Sequence, residues 1–168
     1  GPVWIDIPLD IQGAPINKKT LVGWKGNLLT KKILLNQRKI EKVIQLISKS
    51  KRPIILAGHG VRLSGKRNLF QSVVRKLGIP VVTTWNAMDL LPYNNKLNIG
   101  RPGVVALRAP NFAVQNSDLL ICIGSRLDNI ITAFDPRNFA RAAKKIIIDI
   151  DKNEIKKLDM DIDLEINC

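Results

Sequence analysis

Four short apolar runs constrain this chain more than any other feature. They are Pro53–Ala57, Ile79–Thr84, Asp118–Ile123 and Lys145–Ile150. None alternates between apolar and polar residues. A strand with one wet face alternates, and a strand covered on both faces does not. Between the runs lie glycine turns and segments of helical period. The rhythm of strand, turn, helix and strand predicts an α/β domain, an open and mostly parallel sheet with helices on both faces.

The helices can be read individually. Ile40, Val43, Ile44 and Ile47 recur at helical spacing, Asn36 stands where an N-cap belongs, and Pro53 ends the segment. A second helix opens at Ser64 or Gly65, with Leu69, Phe70, Val73, Val74 and Leu77 on one face and Gly78 as its C-cap. A third runs from Val104 to Asn116, and Pro110 inside it predicts a kink. Short helices are expected at Asn138–Ala143 and Asn153–Leu158, and an edge strand at Asp163–Ile166. Pro2–Pro8 reads as a strand, and Gln12–Leu35 as a linker crossing a surface.

The chain has 168 residues, 45% of them hydrophobic, enough for one compact domain with a real core. No apolar run approaches the ~18 residues of a membrane helix, and no signal pattern opens the chain. It starts without Met and reads as a domain cut from a longer protein. Two cysteines make no disulfide framework, and Cys122 is expected as a buried small hydrophobe. One histidine, His59, cannot build a multi-histidine metal site, and no metal ligands are assigned. The default setting is cytoplasmic.

The formal charge of +13 is uneven. Asn17–Lys76 carries sixteen Lys or Arg against Glu41 alone, whereas Leu77–Cys168 has eleven bases and eleven acids. Aromatics make up only 5%, too few for a base-stacking platform. A solvated basic face is therefore expected, with no specific nucleic-acid partner and no membrane.

In an open parallel sheet, ligands gather at the carboxyl ends of the strands, near the switch in strand order. Three such ends carry suitable residues: Gly58-His59-Gly60, Gly124-Ser125-Arg126-Leu127-Asp128 and Asp149-Ile150-Asp151. The first could offer backbone N–H groups to an anion, the second a guanidinium fork, and the third a carboxylate to a ribose. Asp149 and Asp151 fall on opposite sides of an extended chain and make no carboxylate pair. Glycine is also needed wherever a strand turns sharply, so these turns alone leave a packing role open. G-x-S-x-G, the phosphate-binding G-x-x-x-x-G-K-[ST] and H-E-x-x-H do not occur, and no catalytic residue is assigned.

The ordered segments resemble a known family. GPVWIDIPLDIQ is similar to the segment closing the first domain of thiamine-diphosphate enzymes of the acetolactate synthase group. RPIILAGHGVRLSG, LGIPVVTTWNAMDLLP, NIGRPG, SDLLICIGSRLDN and KIIIDIDKNEI then follow in the order of their central domain. The resemblance implies a Rossmann-like, DHS-like nucleotide-binding fold over 36–168, with 1–35 as the tail of the preceding domain and a linker. It implies a larger transferase or lyase acting on 2-oxo acids by decarboxylation or carboligation. In such an enzyme the flanking domains hold thiamine diphosphate and Mg, and this segment is non-catalytic. It further implies a homo-oligomer in the full-length protein, and FAD or ADP held structurally by Gly58, Gly60, Thr83, Gly124, Arg126, Asp149 and Asp151.

Two departures from the family pattern stand out. Gly100-Arg101-Pro102-Gly103 occupies the place of G-M-H-G, and Arg126-Leu127-Asp128-Asn129-Ile130 that of R-F-D-D-R. Ile130 lacks the charge of the last Arg, which borders the family's substrate channel, so a parent enzyme other than a housekeeping acetolactate synthase is expected, with an altered second 2-oxo acid or another acceptor such as an aldehyde or an activated sugar. A neighbouring base such as Arg101 could take over its role. A free-standing nucleotide- or dinucleotide-binding module and a basic nucleic-acid-associated domain are the other classes open to such a sequence.

Overall fold

The computed structural model describes residues 3–23 and 36–168. They belong to two units, the first within 1–32 and the second within 33–168. The Gln12–Leu35 linker therefore lies partly outside the described residues. In the first unit the expected strand at Pro2–Pro8 is absent over 3–8. A strand exists only through its ladder, and this segment pairs with none among the described residues. It runs instead into one helical turn, α1 (Leu9–Gln12), after which Gln12 Nε2 donates back to the Ile7 carbonyl at 2.8 Å.

The second unit contains a six-stranded sheet in which every pairing is parallel. Its strands are β1 (Pro53–Ala57), β2 (Val81–Thr83), β3 (Asn98–Gly100), β4 (Leu119–Ile123), β5 (Lys144–Asp149) and β6 (Leu164–Asn167), in the order β3-β2-β1-β4-β5-β6. The chain winds outward from β1 in one direction and from β4 in the other. The switch in strand order thus falls between β1 and β4, where Ile55 stands opposite Ile121 and Ala57 opposite Ile123.

Alternate residues of each strand face two separate cores. Ile55, Ala57, Val81, Ile121 and Ile146 join Phe70 and Val74 on one face. Ile54, Leu56, Val82, Leu120, Cys122 and Ile147 join Val114, Ile131 and Ile155 on the other. Both faces demand apolar residues, hence the unbroken apolar runs. Burial pushes the Cys122 thiol well above its ordinary range, so it stays protonated and inert within its core.

The helices of the first face are α2 (Gln37–Lys49), α3 (Gly60–Leu63) and α4 (Arg67–Leu77). Asn36 caps α2, its side chain accepting the Arg38 N–H at 2.9 Å. Val43, Leu46 and Ile47 turn inward, while Ile44 stays exposed. The helix expected from Ser64 or Gly65 starts later, at Arg67. Gly65 adopts φ +68°, a left-handed residue that separates α3 from α4. The buried face of α4 is narrower than the periodicity predicts. Phe70 and Val74 are buried, whereas Leu69, Val73 and Leu77 stay exposed. Gly78 closes α4 at φ +66°, in the left-handed C-cap expected of it.

The other face carries α5 (Arg108–Gln115), α6 (Asn129–Thr132) and α7 (Lys152–Lys156). The expected helix from Val104 is shorter, and Pro110 falls at its third position. No intrahelical carbonyl awaits an N–H there, so Pro110 opens the helix rather than kinking it. No helix forms over Asn138–Ala143. The Asp135 carboxylate accepts the Asn138 N–H, and Ala140 sits at φ +48°, which breaks a helical run. The helical turn α6 lies in what reads as a loop, and β3 extends the sheet where the sequence shows no run.

Candidate functional site

Three loops leave the carboxyl ends of β1, β4 and β5 and meet over the switch point. The β1 and β4 loops pack backbone to backbone. Gly58 N–H donates to the Ile123 carbonyl at 2.8 Å, and Gly60 N–H to the Gly124 carbonyl at 3.0 Å. A Cβ on Gly60 would lie 2.7 Å from Gly124 Cα, and one on Gly58 would meet the Gly124 carbonyl closer still. Gly124 itself holds φ +58°. All three glycines are therefore required for the two loops to touch. The Gly58 and Gly60 N–H groups, expected to face an anion, are committed to β4 carbonyls.

A cleft of about 780 Å³ opens above this contact. Gly60, Gly124, Arg126, Asp149 and Asp151 all line it. Gly58 lies beneath it, and Thr83 is buried in β2 at 1% exposure, with Thr84 at the wall instead. The chain turns after β5, so Asp149 and Asp151 border the same cleft despite their expected divergence along an extended chain. Each carboxylate also serves the backbone. Asp149 Oδ1 accepts the Asp151 N–H at 2.9 Å, and Asp151 Oδ1 accepts the Asn153 N–H at 2.8 Å as the N-cap of α7.

Arg126 projects from the β4 loop with its side chain 70% exposed. It is not a free fork. Its Nε and Nη2 donate to the two oxygens of Glu154, each at 3.1 Å. Hydrogen bonding to Glu154 raises the Arg126 pKa above its ordinary value. Glu154 is held below the usual carboxylate range, first by the hydrogen bond from Lys157 and then by that from Arg126.

Several lining residues were not assigned as ligand contacts from sequence. Asp128 caps α6, its Oδ1 accepting the Ile130 N–H at 3.0 Å and the Ile131 N–H at 3.1 Å. The sequence signal was present, since an Asp directly precedes an apolar turn. Glu154 follows Asp151 at capping-box spacing, another legible signal. Trp85 and Asn86 come from a 3₁₀ turn, Trp85–Ala87, after β2. Their apposition to the β1 loop depends on strand order, which no local pattern encodes. There His59 Nδ1–H donates to the Asn86 carbonyl at 2.9 Å, which fixes the imidazole at the cleft wall.

Ile130 also lines the cleft. Arg101 stacks its guanidinium 5.0 Å from the Trp85 ring centroid, behind the wall that Trp85 forms. An adjoining apolar groove of about 590 Å³ shares Gly60, Leu63, Gly124, Asp149 and Ile150 with the cleft. Among the described residues, no group of three or more His, Cys, Asp or Glu is arranged to hold a metal ion.

The arrangement suits a ligand combining an anionic group with hydroxyls: one guanidinium, carboxylates at a strand end, and a floor without Cβ atoms. The volume lies within the range of small-molecule sites, about 300–1,000 Å³. Comparison with known proteins identifies the family of the chain. A family model described as "Thiamine pyrophosphate enzyme, central domain" matches residues 40–167. The chain is 41% identical over 165 residues to a probable acetolactate synthase large subunit of Methanococcus aeolicus, covering 94% of this chain and 26% of that protein. It is 37% identical over 163 residues to the acetolactate synthase large subunit of Corynebacterium glutamicum, covering 94% and 25%. It is 31% identical over 158 residues to the isozyme 1 large subunit of Escherichia coli, covering 94% and 27%. The chain thus spans about a quarter of the length of the relatives it matches. With the family model covering most of its length, the chain belongs to the thiamine pyrophosphate enzyme central-domain family.

Proposed function

We propose that this chain is the non-catalytic centre of a longer thiamine-diphosphate enzyme that joins or decarboxylates 2-oxo acids, with acetolactate formation from pyruvate as the leading activity. The match to acetolactate synthase large subunits over 94% of the chain carries this reading. Residues 1–35 are the tail of the preceding domain and a linker. The flanking domains supply the groups that hold thiamine diphosphate and Mg, and the full-length protein is a cytoplasmic homo-oligomer. Among the described residues no helix is long and apolar enough to cross a membrane.

The switch-point cleft takes FAD or ADP. Its residues suit such a ligand: Arg126 for the diphosphate and Asp149 for a ribose hydroxyl, beside the floor where Gly60 and Gly124 pack on each other. The bound nucleotide supplies binding energy that holds the domain's loops together. This chain's residues bind and orient it.

Ile130 bears on the substrate. Its family counterpart is a cation that can meet a carboxylate, and losing a charge-assisted contact costs about 1.5–3 kcal/mol, roughly tenfold or more in binding. Arg101 is engaged with Trp85, which argues against its substituting freely. Assaying the full-length protein with pyruvate alone, and then with pyruvate plus an aldehyde acceptor, tests the assignment. Acetolactate from pyruvate alone supports the leading activity. A product formed only with the aldehyde would move the acceptor elsewhere, and inertness toward every 2-oxo acid would overturn the reading.

A further inference from the structure

The cleft presents an electrostatic problem to an anionic ligand. Asp128, Asp149, Asp151 and Glu154 line it, and Arg126 is the one Lys or Arg lining it among the described residues. That guanidinium already grips Glu154 through two parallel hydrogen bonds of 3.1 Å. The Gly58 and Gly60 N–H groups are bonded to β4 carbonyls and offer nothing in its place. With Arg126 held, a diphosphate entering here meets carboxylates without a free counter-charge.

Glu154 differs from its neighbours in having a second cation. Lys157, one turn along at i+3, places Nζ 2.5 Å from Glu154 Oε2. Glu154 is 20% exposed at its side chain, whereas Arg126 is 70% exposed. The carboxylate is thus the anchored partner and the guanidinium the mobile one. A guanidinium fork fits two phosphate oxygens as well as two carboxylate oxygens.

We propose that Glu154 is a built-in competitor for Arg126, and that a nucleotide's diphosphate binds by taking the guanidinium from it while Lys157 keeps the abandoned carboxylate paired. The inference rests on the reading of the cleft as a nucleotide site and adds what limits its affinity. The exchange breaks no covalent bond and moves no proton. It trades one two-oxygen acceptor for another across an exposed ion pair, the weak kind that a ligand can displace. The Lys157 contact is what makes the exchange favourable, because without it the departing guanidinium would leave an isolated, partly buried carboxylate. The acid pKa of Glu154, set by Lys157 first, accords with a carboxylate that stays ionised after Arg126 departs.

Calorimetric titration of the full-length protein with ADP and with inorganic diphosphate tests this, with adenosine as the control lacking phosphate. Glu154→Gln should tighten ADP and diphosphate about threefold, the scale of an exposed ion pair, and leave adenosine unchanged. Arg126→Ala should weaken both at least tenfold. Adding Glu154→Gln to Arg126→Ala should then bring no gain, since the carboxylate acts through the guanidinium. Lys157→Met should weaken ADP, because Glu154 then holds Arg126 as its sole counter-charge. If wild type binds ADP but Glu154→Gln leaves affinity unchanged or lower, the competitor role is overturned and the nucleotide site stands. A gain that persists without Arg126 means plain repulsion and also overturns it. If no variant binds ADP or diphosphate, the nucleotide reading fails and this inference fails with it.

Discussion

Gly124 joins two loops in a space with no room for a side chain. Its φ of +58°, and the 2.7 Å that would separate an added Cβ from Gly60 Cα, make Gly124→Ala strained and crowded at once. We expect a loss of about 1–3 kcal/mol in chemical denaturation, with ADP affinity falling in parallel. Asp118 is a second residue whose role is measurable. Burial raises its pKa, but hydrogen bonds from the Ser50 hydroxyl and from the Lys51 and Arg52 N–H groups outweigh burial and lower it. A depressed carboxylate stabilises the fold above its unfolded pKa of about 3.9, and that stability is lost as pH falls through the lower folded value. Asp118→Ala should therefore destabilise by about 1–2 kcal/mol at pH 7. It should also flatten the acid limb below about pH 4, as followed by thermal melts. Single residues were unevenly legible in the sequence. The glycines announced a tight turn, but whether they face a ligand or another loop depends on Gly124 lying across from Gly60. Arg126 announced an anion contact, but its engagement with Glu154 joins residues 28 apart across two different strand ends.

The α5 helix shows how position within an element decides a residue's cost. Pro110 at the third helical position leaves no intrahelical bond unmade. Pro110→Ala should change stability by less than about 1 kcal/mol, against the roughly 3 kcal/mol that Pro costs in a helix interior. A larger loss in urea titration would report the packing of the buried Pro110 ring, not a broken helix. The strands differ in kind. Leu56 is fully buried in the second core, and Leu56→Ala should cost about 2–5 kcal/mol. The elements readable from sequence were those with an apolar run, a helical period or a clear cap: β1, β2, β4, β5, β6, α2, α7 and the C-terminal end of α4. Those that escaped are short and held by their surroundings. The α6 turn is four residues, capped by Asp128 and ended by Ala133 at φ +56°. Asn98–Gly100 is a strand only because β2 lies beside it, with its pairing shifted between Val81 and Val82. Local propensity cannot register a partner distant in sequence.

Over the whole molecule, eleven of the sixteen bases of the basic stretch fall within the segment that forms α2, α3 and α4. Several of its cations have partners: Lys39 Nζ donates to the Glu165 carbonyl, Lys42 Nζ to that of Asp163, and Arg62 pairs with Asp89. Nucleic acid should bind this surface only weakly, with affinity dropping steeply as salt rises, because counterion release would supply it. A gel-shift complex that selects sequence and survives ~0.3 M salt would reopen the nucleic-acid class. Fold and family were legible because the alternation of strands and helices, glycine turns and apolar runs agree along one continuous segment. The chemistry was not, because the relatives are about four times longer and the reacting groups are assigned to what flanks this quarter. The most direct measurement compares the 168-residue chain with the full-length protein, each given pyruvate, thiamine diphosphate and Mg²⁺. The account predicts no turnover above buffer for the chain alone and an ordinary enzymatic rate, about 10 per second, for the full-length protein. Turnover by the isolated chain, or silence from the full-length protein with every 2-oxo acid offered, would contradict it.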